Sequence, residues 1–262
     1  MSTTALTCKN IEVDFDGFKA VNGVDLTLDR GEVHFLIGPN GAGKTTLVDA
    51  ITGLARYTGS VTKDTAGKGA VELRGKKVHH IARAGIGRTF QTATVFENLT
   101  VAQNLDIAAG AGRSPWTLLR RRAHLPANVT AVIEQIGLHE HADTPAGILA
   151  HGQKQWLEIG MLLVGDADVL LLDEPIAGMG ADERETTGRL LHDIAATRAV
   201  AVVEHDMDFM RAFASRVTVL HAGTVLAAGT VDDVSNDPRV QEVYLGTTHT
   251  ESDMEPADAA TA

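Results

Sequence analysis

The chain holds a single cysteine, Cys8, in 262 residues. A lone thiol excludes an intramolecular disulfide and a thiolate metal cluster, and it suits a reducing compartment. Basic residues are also short, with 23 Lys and Arg against 34 Asp and Glu and a formal net charge of −11. A nucleic-acid surface needs a basic face to neutralise phosphates, so no nucleic-acid partner is expected. No apolar run approaches the roughly 18 residues of a spanning helix. The first residues hold no basic stretch followed by an apolar one, so no signal peptide is expected either. Any link to a membrane is then expected to be peripheral, through a protein partner. The pairs His79–His80 and His139/His141 have no cysteine or acid cluster to complete a ligand set, which reads them as surface histidines.

What is present is ample for a core: 44% of the residues are apolar, and the length suits one large domain or two small ones. Ile11, Val13 and Phe15 alternate with acidic residues, and Val24, Leu26 and Leu28 with polar ones, so the first thirty residues read as strands. Residues 57–78 read as a small β-rich edge, with strands at 58–61 and 71–74. Between them lies a Gly67-Lys68 pair, but Thr62 stands where a phosphate loop needs Gly, and Gly69 where it needs Ser or Thr. That segment reads as a turn. Residues 98–164 are mostly helical, with Val101, Leu105 and Ile107 on one amphipathic face and Val129, Val132, Ile133 and Ile136 on another. The basic run at 113–122, which contains Trp116, reads as a solvated face or as a contact for lipid headgroups or a partner. From 165 onward, strands and helices alternate. Strands are expected at 169–172 and 199–203, helices at 182–197 and 207–213, and a hairpin at 217–227 turning on Gly223. The expected fold class is therefore α/β, a parallel sheet covered on both sides with the helical block inserted into it. Residues 247–262 are polar, acidic and small, the composition of a disordered tail.

The segment Gly38-Pro39-Asn40-Gly41-Ala42-Gly43-Lys44-Thr45 fits the pattern of Gly, four residues, Gly-Lys, then Ser or Thr. The apolar run 33–37 before it reads as a buried strand, and 46–51 after it as a helix. Glycines let the backbone curl so that its N–H groups surround an anion, and the helix adds its positive end. Lys44 then reaches the β- and γ-phosphates of a nucleotide, and the Thr45 hydroxyl is a ligand for Mg²⁺. A second signal is Leu170-Leu171-Leu172-Asp173-Glu174, an apolar strand ending in two acids at the edge where open α/β sheets bind ligands. Asp173 is placed to hold Mg²⁺ and Glu174 to polarise an attacking water.

With these two segments in hand, residues 5–246 resemble the ATP-binding subunit of ABC transporters. Gln91, in Gly87-Arg88-Thr89-Phe90-Gln91, matches the family's Q-loop glutamine, which contacts Mg²⁺ and senses the permease. Leu149-Ala150-His151-Gly152-Gln153 stands where the family has Leu-Ser-Gly-Gly-Gln. His205 matches the switch histidine at the γ-phosphate, Phe15 the aromatic that stacks on adenine, and Glu174 the catalytic glutamate. Gly38 through Thr46 and Ala150 through Gln153 are thereby implied to bind ATP. The resemblance implies a P-loop NTPase core of ABC type over 1–246, RecA-like, with an N-terminal antiparallel β subdomain and an inserted helical subdomain at about 98–164.

A narrower resemblance, carried by 151–163, by Asp173-Glu174-Pro175-Ile176-Ala177-Gly178-Met179, by 15–22 and by Val243-Tyr244-Leu245-Gly246, points to the D subunit of urea ABC transporters. That branch lies close to importers of branched-chain amino acids. It implies an ATPase on the cytoplasmic face of the plasma membrane, powering import of urea or a related small amide, with branched-chain amino acids as the alternative. The implied partners are two integral-membrane permease subunits, a second ATPase subunit (or a second copy of this chain in isolation) and, indirectly, an extracytoplasmic solute-binding protein. Two other readings stay open. A soluble ABC ATPase usually carries two cassettes or a coiled-coil insertion, and this chain has neither. A nucleotide-binding regulator that does not hydrolyse ATP sits poorly with both Glu174 and His205.

The chain departs from the family pattern at three places. Ala150 replaces the signature Ser, whose hydroxyl donates to the γ-phosphate, and His151 replaces the first signature Gly. Gly180 stands where the family often has Asp, with Asp182 two residues on. In a head-to-tail pair, Ala150 weakens the site built on the other subunit's phosphate loop.

Overall fold

The structure is a computed structural model. It describes residues 3–65, 69–90, 94–110 and 125–251, with side chains as far as 244. Gln91, the basic run at 113–122 and residues 252–262 lie outside the described residues.

Two sheets form the frame. In the antiparallel one, β1 (Thr4–Phe15) lies between β2 (Phe18–Asp29) and β4 (Thr58–Asp64), and β5 (Ala70–Glu72) closes the far edge. The other has six strands. Its centre is β3 (Val33–Ile37), flanked by β8 (Ala199–Val203) and β9 (Arg216–His221), all parallel. Beyond β8 come β7 (Val169–Asp173) and β6 (Ile86–Arg88), also parallel, and β10 (Thr224–Gly229) pairs antiparallel with β9. Every residue of β3, β7 and β8 is buried, which is why these strands read as near-continuous apolar runs, interrupted by His34 and ended by Asp173.

Side chains alternate across the central strands and so build two cores. Phe35, Ile37, Leu170, Leu172, Val200 and Val202 face the core shared with most of the helices. Leu36, Val169, Leu171, Ala199, Ala201 and Val203 face the core shared with α1 (Lys44–Thr52) and the antiparallel sheet. Arg30, just past β2, donates to Asp168 at 2.6 Å, and Lys63 of β4 donates to the same oxygen at 2.8 Å. Those bonds staple the antiparallel sheet to the foot of β7. Burial raises the Asp168 carboxyl, but the hydrogen bonds from Arg30 and Lys63 outweigh it and hold the group below its ordinary value.

After α2 (Val78–Arg83), the described residues of the helical block form α3 (Val101–Gly110), α4 (Ala127–Gln135) and α5 (His151–Val164). A Cβ on Gly160 of α5 would sit 2.7 Å from Ile136 Cδ1 and 3.1 Å from Leu105 Cδ2, so this glycine sets how closely the three segments pack. The chain returns through α6 (Ala181–Ala195), α7 (Met207–Phe213), α8 (Val231–Ser235) and α9 (Pro238–Glu251).

Four elements, α2, β6, α8 and α9, lie where the sequence pattern predicts no helix or strand. The short helix α2 buries Ile81 alone, too little apolar periodicity to register in the sequence. The helix α9 carries five residues of the expected tail, from 247 to 251; it begins on Pro238, whose fixed φ suits a first helical position, and no proline interrupts it before Pro256.

Candidate functional site

The parallel register brings Leu36, Val203 and Asp173 level across β3, β8 and β7. The residues that follow each strand therefore emerge together at the carboxyl edge: the phosphate loop after β3, Glu174 after β7, and Glu204 and His205 after β8. This edge of an open α/β sheet is where ligands bind.

Gly38, with φ 151°, passes so close to β9 that a Cβ there would lie 2.2 Å from the Leu220 carbonyl oxygen. Gly43 sits at φ 100° against the Ala20 carbonyl of β2, which a Cβ would approach to 2.4 Å. Both positions therefore require glycine on two counts, conformation and space. Gly43 is the N-cap of α1 and offers no side chain, so the first N–H groups of that helix face the loop. Lys44 Nζ donates to the carbonyls of Gly38 (2.6 Å) and Pro39 (3.1 Å), which holds the ammonium over the loop. Burial lowers the Lys44 ammonium, and the carboxylates of Glu174 and Asp173 oppose that shift. The loop, from Asn40 through Gly41, Ala42, Gly43, Lys44 and Thr45 to Thr46, lines a cavity of about 380 Å³ together with Phe15, Phe18, Ala20, Glu174 and Val203. Phe15 is 54% exposed there. The tight turn at Asp16-Gly17, with both residues at positive φ, sets it opposite Phe18.

Glu174 takes φ 49°, and its N–H donates to the Val203 carbonyl at 2.9 Å. This bond turns the acid out of β7 and over the loop. His205 Nδ1 lies 3.5 Å from Glu174 Oε1. Asp173 is buried at the end of β7, where its backbone N–H donates to Thr89 Oγ1 at 3.2 Å and Arg88 lies 3.4 Å from its Oδ2. Burial raises the Asp173 carboxyl, opposed by Arg88. Its Oδ1 is buried without a hydrogen-bond partner. A hard anionic oxygen left over beside a phosphate loop fits a Mg²⁺ site, and the hydroxyl of the exposed Thr45 offers a second hard oxygen.

Two residues carry the geometry that sequence reasoning gave no role. Arg88 bonds both Asp49 of α1 and Asp173, tying the helix of the phosphate loop to the strand of the acids. Glu204 is buried and accepts N–H bonds from Ile176 (3.4 Å) and His205 (3.1 Å), fixing the segments after β7 and β8 to one another. Burial raises its carboxyl, and those N–H bonds oppose the shift. For Glu204 the available signal was a charge directly following a buried strand, whereas Arg88 is itself the last residue of the short β6.

The signature segment is not among the residues lining this cavity. Ala150 is the N-cap of α5 and is exposed, as is His151; Gly152 is buried, and a Cβ there would lie 2.7 Å from Glu183 Oε1 of α6. Gln153 Oε1 accepts the Ala150 N–H at 3.0 Å, and its Nε2 lies 3.0 Å from His141 Nε2. Gly180 is the N-cap of α6. The structure thus gathers Phe15, the loop, Asp173, Glu174 and His205, and sets Ala150–Gln153 apart on the helical block.

A phosphate loop after a central parallel strand, with paired acids at the end of the next strand but one and a helical insertion, defines an ATP-binding cassette. The family model described as ABC transporter matches residues 21–177, and one described as branched-chain amino acid ATP-binding cassette transporter matches 224–250. The chain is 34% identical over 260 residues to the high-affinity branched-chain amino acid transport ATP-binding protein LivG of Escherichia coli, covering 94% of this chain and 99% of that one. It is equally similar, at 34% over 260 residues and the same coverage, to BraF of Pseudomonas aeruginosa, described as the same kind of protein. The solved structure of MJ1267, an ATP-binding cassette of an ABC transporter in its ADP conformation, matches with a TM-score of 0.78 at 30% identity, covering 93% of this chain and 99% of that one. The chain belongs to the ABC transporter family and is an ATPase of its ATP-binding-cassette type. These relatives bear the branched-chain amino acid name, the second of the two solute readings; the urea reading finds no support in them. Among the described residues, no helix is long and apolar enough to cross a membrane.

Proposed function

We propose that this chain is the ATP-hydrolysing subunit of an importer of the branched-chain amino acid type. The observation that carries the motor role is the meeting of Lys44, Asp173, Glu174 and His205 at one sheet edge around the phosphate loop. The solute class rests on kinship with relatives that span nearly the whole chain.

In the proposed reaction, Phe15 stacks on adenine, while the loop N–H groups and Lys44 hold the β- and γ-phosphates. Thr45, Asp173 and Gln91 would hold Mg²⁺, which supplies charge neutralisation at the phosphate oxygens. Glu174 orients the attacking water and draws off its proton, and His205 donates to the transferred phosphoryl group. The edge formed by Ala150, His151, Gly152 and Gln153 serves the site of a second ATPase subunit packed head to tail. Two permease subunits receive the movement through the segment of Gln91, and an extracytoplasmic binding protein delivers the solute to them. The chain itself sits peripherally on the cytoplasmic face.

The test is uptake of labelled leucine and of labelled urea by cells carrying the full transporter, with wild-type chain or Glu174→Gln. Leucine uptake abolished by the substitution, with membrane assembly intact, supports the reading. Loss of urea uptake alone returns the urea assignment. Unchanged uptake of both removes the transport role.

A further inference from the structure

His205 follows β8, and its imidazole is 65% exposed, so the backbone on either side sets its place more than packing does. On the strand side, the buried Glu204 accepts the His205 N–H at 3.1 Å and the Ile176 N–H at 3.4 Å. On the helix side, Asp206 is the N-cap of α7, and its Oδ1 accepts the N–H groups of Asp208 (3.0 Å) and Phe209 (2.8 Å). The other oxygen of that carboxylate, Oδ2, accepts a bond of 2.6 Å from Arg184 Nη1.

Arg184 lies near the start of α6. Its Nε donates to the Met179 carbonyl at 3.1 Å, and its backbone N–H to the Gly180 carbonyl at 3.0 Å. Met179 closes the arc that opens at Glu174: the Ala177 N–H donates to the Glu174 carbonyl (3.2 Å), and the Met179 N–H to the Ile176 carbonyl (3.1 Å). The arc of Glu174 is therefore joined twice to the residues flanking His205, through Glu204 at Ile176 and through Arg184 at Met179. Between these two bridges, Glu174 Oε1 and His205 Nδ1 stand 3.5 Å apart. A guanidinium suits the second bridge, because its planar fork aims one N–H at a carbonyl and another at a carboxylate in fixed directions. With side chains 43% and 22% exposed, the Arg184–Asp206 pair adds little to stability, which leaves geometry as its main contribution.

We propose that Arg184 is a positioning residue for ATP hydrolysis: by bonding the Met179 carbonyl and the Asp206 carboxylate together, it holds His205 at its working distance from Glu174. The proposal rests on the roles given above to Glu174 and His205. Arg184 itself touches neither nucleotide nor water in this role; it acts through the two segments that it joins.

The experiment compares wild type, Arg184→Met, Asp206→Asn, the double variant and His205→Ala. Amide hydrogen exchange and binding of a fluorescent ATP analogue are read on the full chain, and ATP turnover at saturating ATP on the assembled transporter, well below every melting temperature. In Arg184→Met, turnover is expected to fall about tenfold while affinity for the ATP analogue stays within about twofold. The His205 and Phe209 amides exchange about tenfold faster, while those of β7 and β8 keep wild-type rates. Asp206→Asn keeps an acceptor for the two cap amides and loses the ion pair, so it lowers turnover to a similar extent. The double variant loses no more than the worse single one, since both substitutions break the same bridge. Wild-type turnover in Arg184→Met, or losses that multiply in the double variant, would overturn the proposal, and so would faster exchange throughout the sheet. Full turnover in His205→Ala instead defeats the reading of His205 beneath it.

Discussion

Burial pushes the Glu158 carboxyl up to about 7, against the pull of the Thr94 and Phe90 amides. The folded chain therefore holds a proton that the unfolded chain releases between the ordinary glutamate value of 4.5 and about 7. Its contribution to stability is fully present below that lower value and is lost as pH rises through the upper one. A shift of this size amounts to about 3 kcal/mol at full extent. Glu158→Gln removes the titration, so melting temperatures of variant and wild type should diverge as pH goes from 5 to 8, the variant gaining several degrees at about 2–4 °C per kcal/mol. Parallel melting curves at the two pH values would show that the carboxyl titrates normally. His34 does not confuse the comparison: burial pushes it down to about 4 in both proteins, so its opposite contribution cancels in the difference.

Helix α5 starts without a side-chain acceptor, because its N-cap is Ala150. Gln153 accepts the Ala150 N–H, which is half of a capping box; the missing half is a hydroxyl at 150. Ala150 has φ −59° and ψ 159°, an extended conformation that serine adopts freely. Ala150→Ser should therefore stabilise the chain by about 0.5–2 kcal/mol, read as a higher melting temperature without nucleotide. No gain would mean that water already satisfies the first turn of α5. The position shows what was legible in sequence. The phosphate loop, the acids after 172 and the buried strands at 33–37, 169–172 and 199–203 could be read because short-range chemistry dictates them: glycines where the backbone crowds Leu220 and Ala20, and near-continuous apolar runs where both sheet faces are covered. The bonds of Arg88, Glu158 and Glu204 could not, because an acid on a helix or a charge at the end of a strand is ordinarily solvated, and only the packing of distant segments buries these. The helix at 78–83 was missed because it buries a single large side chain.

At the scale of the whole molecule, the chain presents two separate working surfaces. The cavity around the phosphate loop holds the proposed adenine, phosphate and water-activating groups, while the signature residues stand outside it on the helical block. In the proposed head-to-tail pair, each ATP site takes its loop from one subunit and its signature from the other. The two sites are then unequal. The site on this chain's loop meets the partner's signature, whereas the partner's loop meets Ala150, which cannot donate a hydroxyl hydrogen bond. Losing one charge-assisted bond in a dry site costs roughly 1.5–3 kcal/mol, a factor of about 10 to 150 in rate if it is felt in the transition state. Most turnover should therefore run through Glu174 of this chain. In the assembled transporter, Glu174→Gln should lower ATP turnover by about 100-fold or to the level of the weaker site, whichever is higher, whereas replacing the partner's equivalent acid should leave at least about nine-tenths of it. Ala150→Ser adds the control: by restoring the hydroxyl at the partner's site, it should raise the turnover that survives Glu174→Gln. Equal losses from the two acid substitutions, together with no effect of Ala150→Ser on the residual rate, would mean that the two sites are equivalent and that the α5 N-terminus binds the γ-phosphate through its backbone alone.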